Sequence, residues 1–271
     1  MKYINQFVFE VNKKTSRLSL KNFCSFWNLV FILSFKSLRF KALEDDNILV
    51  EDAENKIFIS QKLRAYFYFK SIKNRFISLG KMYFLETINF DNNDVIVDCG
   101  ANIGEVYNSI KQFNNKNFLY FGFEPVKSEF NLLKINTENI IDRPIALFSK
   151  SEFKKIYIHR EGADSTIIKD PRYNEYDYVE CLRLDDVEDL KNKSIKLLKL
   201  EAEGAELEVL LGCGDILKNI EYISADLGFE LEQGTKSNEK EVTEYLLKNN
   251  FYKLTKNSRY INLFKNRLYE D

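Results

Sequence analysis

Val95-Ile96-Val97-Asp98-Cys99-Gly100-Ala101-Asn102-Ile103-Gly104 is the stretch on which the fold turns. Three apolar β-branched residues, closed by an acid and followed by a glycine, read as a short strand (Val95–Asp98) buried on both faces. Gly100 and Gly104 let the chain turn sharply and let a ligand approach the backbone without a side chain in the way. Glu105–Phe113 carries the pattern of the next helix. Strand, glycine turn and helix open an α/β unit whose ligand site is expected at the carboxyl end of the strand.

Downstream the alternation continues. Phe118–Phe123 reads as a second strand and Ser128–Asn136 as a helix with Ser128 as its N-cap. Arg143–Phe148 reads as a third strand, and Lys154–Arg160 and Tyr178–Leu184 as strands of an insertion. Ile195–Leu200 is the fourth main strand, followed by a helix over Ala205–Leu211 that stops at Gly212. Tyr222–Leu227 is the fifth, Glu239–Asn249 a helix, and Tyr252–Leu254 with Tyr260–Phe264 a closing antiparallel pair. Such alternation implies a parallel sheet covered by helices on both faces.

Upstream of Asp91 the chain is helical in pattern and rich in aromatics. Asn47–Val50 and Lys56–Ser60 read as a small hairpin, and Leu63–Ser71 and Arg75–Ile88 as helices. Residues 1–90 are therefore expected to form an N-terminal extension, mainly helical, on a main domain of residues 91–271. Phe23–Phe35 (FCSFWNLVFILSF) is strongly apolar but shorter than the ~20 residues that span a bilayer. It is expected to be buried in a protein interface, a homodimer contact included, rather than in lipid.

Forty Lys and Arg against forty-one Asp and Glu give a formal charge of −1, with no clustered basic excess of the kind nucleic acid requires. Cys24, Cys99, Cys181 and Cys213 lie far apart without a C-x-x-C pairing, and His159 is the lone histidine, which disfavours the usual zinc sites. The first apolar run lies too far inside for a signal peptide and lacks a small-residue cleavage site. A reduced cytoplasmic protein without membrane association is expected.

Two groups of residues carry chemistry. The first is the Asp98–Gly104 loop with Glu124, twenty residues beyond Gly104 at the end of the second strand, where an acid can bind both hydroxyls of a ribose. Glycines spaced G-x-G-x-x-G would mark a dinucleotide site, but counting from Gly100 the chain has Asn102 and Glu105. No G-K-[ST] follows for a phosphate loop, and an acid at the head of the turn suits an amino-acid ligand better than a pyrophosphate. The bland reading is a tight strand–helix turn with Glu124 as a solvated strand end. The second group is Glu201-Ala202-Glu203-Gly204-Ala205-Glu206. Glu201 and Glu203, two residues apart, are expected on one side of the strand end. Glu206 can instead serve the positive end of its own helix.

VIVDCGANIGE, FGFEP, LLKLEAEGAELEVL and RYINLF together resemble the FkbM family of S-adenosylmethionine-dependent methyltransferases, over about Arg75 to Lys265. The resemblance implies a seven-stranded Rossmann-like sheet, S-adenosylmethionine as cofactor, and methyl transfer, usually to oxygen. It places Asp98, Gly100, Asn102 and Gly104 along the methionine part, Glu124 on the ribose and Ala146 near the adenine. Ala101 and Pro125 fall within the same segments. The family's fourth strand usually ends in aspartate, whereas this chain has Glu201, one methylene longer.

A hydroxyl is a weak nucleophile until deprotonated, so Glu201, Glu203 and His159 are the expected candidates for a general base. Asp164, Ser165 and Thr166, with Glu206, are expected to contact the acceptor, because loops vary while the sheet stays fixed. Tyr173, Tyr176 and Tyr178 can stack on a sugar or simply cover a core. No metal is expected. The expected acceptor is a sugar, nucleotide-sugar, glycan or other small polar metabolite, and the alternative is a non-catalytic binding or scaffold protein retaining the fold.

Overall fold

The computed structural model describes residues 2–158, 165–168, 175–228, 235–255 and 260–270. The chain divides into two compact units, Met1–Leu79 and Gly80–Asp271.

The first unit holds helices α1 (Lys2–Thr15) and α2 (Leu20–Leu33) and a three-stranded antiparallel meander, β1 (Arg39–Ala42), β2 (Ile48–Glu51) and β3 (Lys56–Ile59). Ser19 caps α2 by accepting from the Asn22 amide. The amide side chain of Asn28 then bonds both the N–H and the C=O of Phe40, 2.8 Å each, which fixes β1 to α2. Phe23, Cys24, Trp27 and Phe31, spaced for one face of α2, are buried. Trp27, Phe31 and Phe40 pack around Phe69, with the Trp27 and Phe69 rings 4.1 Å apart. Four of the ten apolar residues of the run are thus committed to the unit's own core. The hairpin is β2–β3, and β1 extends it. The helix expected over Leu63–Ser71 is a 3₁₀ segment, Lys62–Tyr68. That expected over Arg75–Ile88 is α3 (Ile72–Met82) and a 3₁₀ turn, Leu85–Thr87, separated by Phe84 at φ +59°.

The second unit is built on a six-stranded sheet in the order β11 (Phe251–Lys253), β12 (Ile261–Asn266), β10 (Ile220–Asp226), β9 (Ile195–Leu200), β4 (Val95–Cys99), β5 (Leu119–Phe123). The four strands from β10 to β5 run parallel, and β12 is antiparallel to both its neighbours. α4 (Glu105–Phe113), α5 (Lys127–Asn136), α6 (Glu206–Cys213) and α7 (Glu239–Lys248) connect them. The chain leaves β4 toward β5 on one side and returns to β9 on the other. The crevice for a ligand therefore falls at the carboxyl ends of β4 and β9.

The expected seventh strand is not in this sheet among the described residues. The run expected over Arg143–Phe148 is only β6 (Ala146–Leu147), which joins β8 (Glu175–Leu182) and β7 (Glu152–Ile158) in a separate three-stranded sheet. At the β5 edge a side chain stands in for a strand. The Asn139 amide accepts from Gly122 N at 2.8 Å and donates to Gly122 O at 3.0 Å, so the edge backbone is satisfied without a ladder. Two helix ends also differ from expectation. α5 starts at Lys127 with Val126 in the cap position, so Ser128 is not the cap. α6 runs through Gly212 to Cys213, because a Cβ at 212 would strike the Phe148 carbonyl, and Gly214, at φ +47°, ends it.

Candidate active site

The register of the parallel strands places the acids. Cys99 pairs with Phe123 and with Leu200, and Leu200 with Ala225. One residue further on, Gly100, Glu124, Glu201 and Asp226 therefore stand level at the ends of four adjacent strands. Two rows below, Asp98 pairs with Lys199, and these two side chains make the floor.

Lys199 is buried, and its ammonium lies 3.2 Å from Asp98 Oδ1 and 2.8 Å from Glu201 Oε2. It also donates to the carbonyls of Cys99 (3.1 Å) and Gly100 (2.8 Å). Burial works against the ammonium, but Asp98 and then Glu201 outweigh it and hold its pKa above the ordinary lysine value. Asp98 is fully buried, which pushes its pKa up against the pull of Lys199. Its other oxygen accepts from Tyr120 Oη at 2.5 Å. Gly122 makes that contact possible, since a Cβ there would stand 2.8 Å from the Tyr120 ring. Asp98 thus anchors the floor rather than lining the crevice directly.

Glu201 also accepts from Tyr83 Oη at 2.7 Å, and Ser224 Oγ donates to the Tyr83 carbonyl at 2.8 Å. Burial first, then Glu201 and Asp226, hold the phenol neutral as a donor. Asp226 accepts from Gly228 N at 3.1 Å, and burial with the neighbouring charge of Glu201 pushes its pKa up to about 6.

Glu124 is buried. Its Oε2 accepts from Asn102 N at 2.9 Å and its Oε1 from Val126 N at 2.8 Å. Burial, opposed by these bonds, pushes its pKa up to about 7. One carboxylate thus ties the glycine loop to the start of α5. Each oxygen keeps a second lone pair for a ligand hydroxyl.

At both loop glycines the chain itself comes close. At Gly100 (φ +71°) a Cβ would lie 2.1 Å from the Glu201 carbonyl, and at Gly104 (φ +87°) it would lie 2.2 Å from Thr137 Cγ2. The loop is pressed against the next strand at one glycine and against α5 at the other. Gly100→Ala is therefore expected to destabilise the fold by more than the ~1–2 kcal/mol of the left-handed conformation alone, because backbone cannot move aside. Gly104→Ala meets a side chain instead, so Thr137→Ser should restore part of its melting temperature and none of that of Gly100→Ala. Equal rescue of both variants would show this reading of the loop to be wrong.

The acidic segment after β9 does not stay extended. Glu203 has φ +49°, so the two-residue spacing does not place it beside Glu201. Glu206 is fully buried: its Oε1 accepts from Ala202 N and Gly204 N, and its Oε2 from Asn238 Nδ2. Its carboxylate organises the turn before α6 instead of facing an acceptor. Thr166 is likewise engaged, donating to the Glu203 carbonyl at 2.7 Å and accepting from Ile168 N. Ala146 is packed with Phe148, Ile156, Val179, Cys181 and Ala205. Asn102 donates its amide to Glu124 and Pro125 follows it, while Ser165 is half-buried beside Thr166. Tyr176 and Tyr178 are exposed on β8 against Lys155. His159, Asp164 and Tyr173 lie outside the described residues. Among the described residues, no three of His, Cys, Asp or Glu gather closely enough to hold a metal ion.

Lys199, Tyr83 and Asp226 were not among the expected site residues. Lys199 held the one available signal, a lysine between Leu198 and Leu200 in a strand that should be buried on both faces.

A family model described as the methyltransferase FkbM domain matches residues 98–253, more than half of the chain. The chain belongs to this family, and its second unit is a methyltransferase domain of the kind that uses S-adenosylmethionine. A solved structure described as the delta-N METTL16 MTase domain is 13% identical, with 69% of this chain and 80% of that one covered at a TM-score of 0.38. No curated protein matches the chain.

Proposed function

We propose that the protein transfers a methyl group from S-adenosylmethionine to a hydroxyl oxygen of a sugar, nucleotide-sugar or similar small polar metabolite, in surface-glycan or secondary-metabolite biosynthesis. The observation that carries this reading is the row of Glu124, Glu201 and Asp226 at one level across three parallel strands, above a single lysine. Carboxylates in excess of cations suit a ligand with an ammonium and a sulfonium, so the donor set fits the cofactor. Bound there, S-adenosylmethionine would supply an electrophilic methyl group. Glu124 would take the ribose hydroxyls on its remaining lone pairs, and the backbone of 100–104 would shape the wall beside it. Glu201, held in place by Lys199 and Tyr83, would orient the acceptor hydroxyl. Asp226 would receive its proton at Oδ2, leaving Oδ1 on Gly228 N.

Binding of S-adenosylhomocysteine tests the cofactor half. It should raise the melting temperature by mass action, and Glu124→Gln should weaken it by roughly 1–3 kcal/mol. Hydroxyls donate best to an ionised carboxylate, so affinity should fall as pH drops through about 7 and be flat in the variant. Without ligand the sign is opposite. The folded pKa lies above the unfolded value, so folded protein holds an extra proton between about pH 4.5 and 7, and stability falls as pH rises across that window. Calorimetry showing no binding at millimolar cofactor would remove this reading. Cofactor binding without a methylated product from any hydroxylated sugar or nucleotide-sugar would favour the scaffold alternative.

A further inference from the structure

The charge of the chain is balanced only in total. Residues 1–79 hold fourteen Lys and Arg against seven Asp and Glu, a net of +7, while residues 80–271 hold 26 against 34, a net of −8. The asymmetry is steepest at the start: residues 1–42 contain eight basic residues and a single acid, Glu10.

That same basic stretch carries an apolar surface that is exposed among the described residues. α2 buries Phe23, Cys24, Trp27 and Phe31 and turns Phe26, Leu29, Ile32 and Leu33 outward. Leu29 is 57%, Ile32 69% and Leu33 71% exposed, and Phe35, just past the helix at φ +54°, is 99% exposed. Lys13, Lys14, Arg17 and Lys21 lie before this face and Lys36 and Arg39 after it, all exposed. The helix is apolar on both faces yet only fourteen residues long, and among the described residues no helix is long and apolar enough to cross a membrane.

We infer that the outer face of α2, with Phe35, is an interfacial docking surface for an anionic lipid bilayer. Apolar side chains that enter the headgroup boundary gain from leaving water, and flanking lysines and arginines gain from anionic headgroups. Charge decides between this occupant and a second copy of the same surface. Two faces from units of net +7 would bring like charges together as they met, whereas an anionic bilayer complements them. This departs from the expectation of a dimer contact, and it does not depend on the methyltransferase reading.

Flotation of the full chain with vesicles tests it. The protein should float with vesicles of equal parts phosphatidylcholine and phosphatidylglycerol, and not with phosphatidylcholine alone. Raising ionic strength from about 0.01 M to about 1 M, which shortens the screening length from ~30 Å to ~3 Å, should release it. Ile32→Ser/Leu33→Ser/Phe35→Ser should lower the partition coefficient about tenfold or more, and Lys13→Glu/Lys14→Glu should lower it for anionic vesicles. Since all five residues are exposed, melting temperatures should stay at the parent value. Failure to float with anionic vesicles overturns the inference. So does a concentration-dependent dimer, seen by sedimentation, that the triple serine variant abolishes, which would make a second copy the occupant.

Discussion

Lys199→Met is expected to lower the stability of the second unit by roughly 3–5 kcal/mol, the cost of removing one partner from a buried ionic group. For a unit of this size that is a fall in melting temperature on the order of 10 °C. Methionine matches lysine in length and suits the flanking leucines, so packing is nearly preserved and the loss is electrostatic. Asp98, fully buried, would keep the Tyr120 hydroxyl but lose its cation, Glu201 would lose the ammonium beside it, and the carbonyls of Cys99 and Gly100 would each lose the lysine as a donor. Two further measurements separate this from simple misfolding. Lys199→Met/Asp98→Asn removes the stranded charge and should recover part of the loss in a double-mutant cycle. The single variant should also lose less at low pH. Without the ammonium the Asp98 pKa rises further above its unfolded value, so the folded state binds a proton and gains relative stability as pH falls. A cost below about 1 kcal/mol would mean that Lys199 contributes little to the floor of the site.

How much of this could be read from the residues follows from the range of the forces involved. α4 and β9 coincide with the expected Glu105–Phe113 and Ile195–Leu200, because periodicity is a local property and both segments are flanked by clear breaks. Glu124 and Asp98 were legible as acids at strand ends. The ionic floor was not, since it joins β4, β5, β9 and Tyr83 through contacts up to 118 residues apart. The close approaches at Gly100 and Gly104 were hidden for the same reason. A glycine signals that something comes close, but only the fold tells whether that is a ligand, the Glu201 carbonyl or Thr137. The missing sheet strand has a local cause instead. Pro144 offers no N–H to a ladder, and the Asn139 side chain has already taken the edge of β5. The N-terminal charge excess was visible in composition, but only once the chain was divided at residue 79, because whole-chain balance hides it.

Asp226→Asn is expected to lower turnover by ~100-fold or more while leaving S-adenosylhomocysteine affinity nearly unchanged, as removal of a general base does. The geometry moves this role from Glu201 to Asp226. Glu201 is clamped by an ammonium at 2.8 Å and a phenol at 2.7 Å, so its carboxylate is already engaged by two donors. Among the described residues no cation makes an ion pair with Asp226, and its pKa of about 6 lets it be ionised at neutral pH while retaining useful basicity. Activity should therefore rise with pH along a limb centred near 6, and that limb should vanish in Asp226→Asn. Glu201→Gln should act differently. It keeps one acceptor oxygen for Tyr83 or Lys199 but loses the charge that orients the acceptor and raises the Asp226 pKa. Its limb should shift to lower pH, with a loss shared between kcat and KM. Glu203→Gln should be nearly silent, because its backbone turns away at φ +49°. If Asp226→Asn is fully active and His159→Ala is dead, the base is His159, in the segment that follows β7 in sequence. If both remain active and only Glu201→Gln fails, the clamped carboxylate does the chemistry after all, and the pH limb should then belong to it.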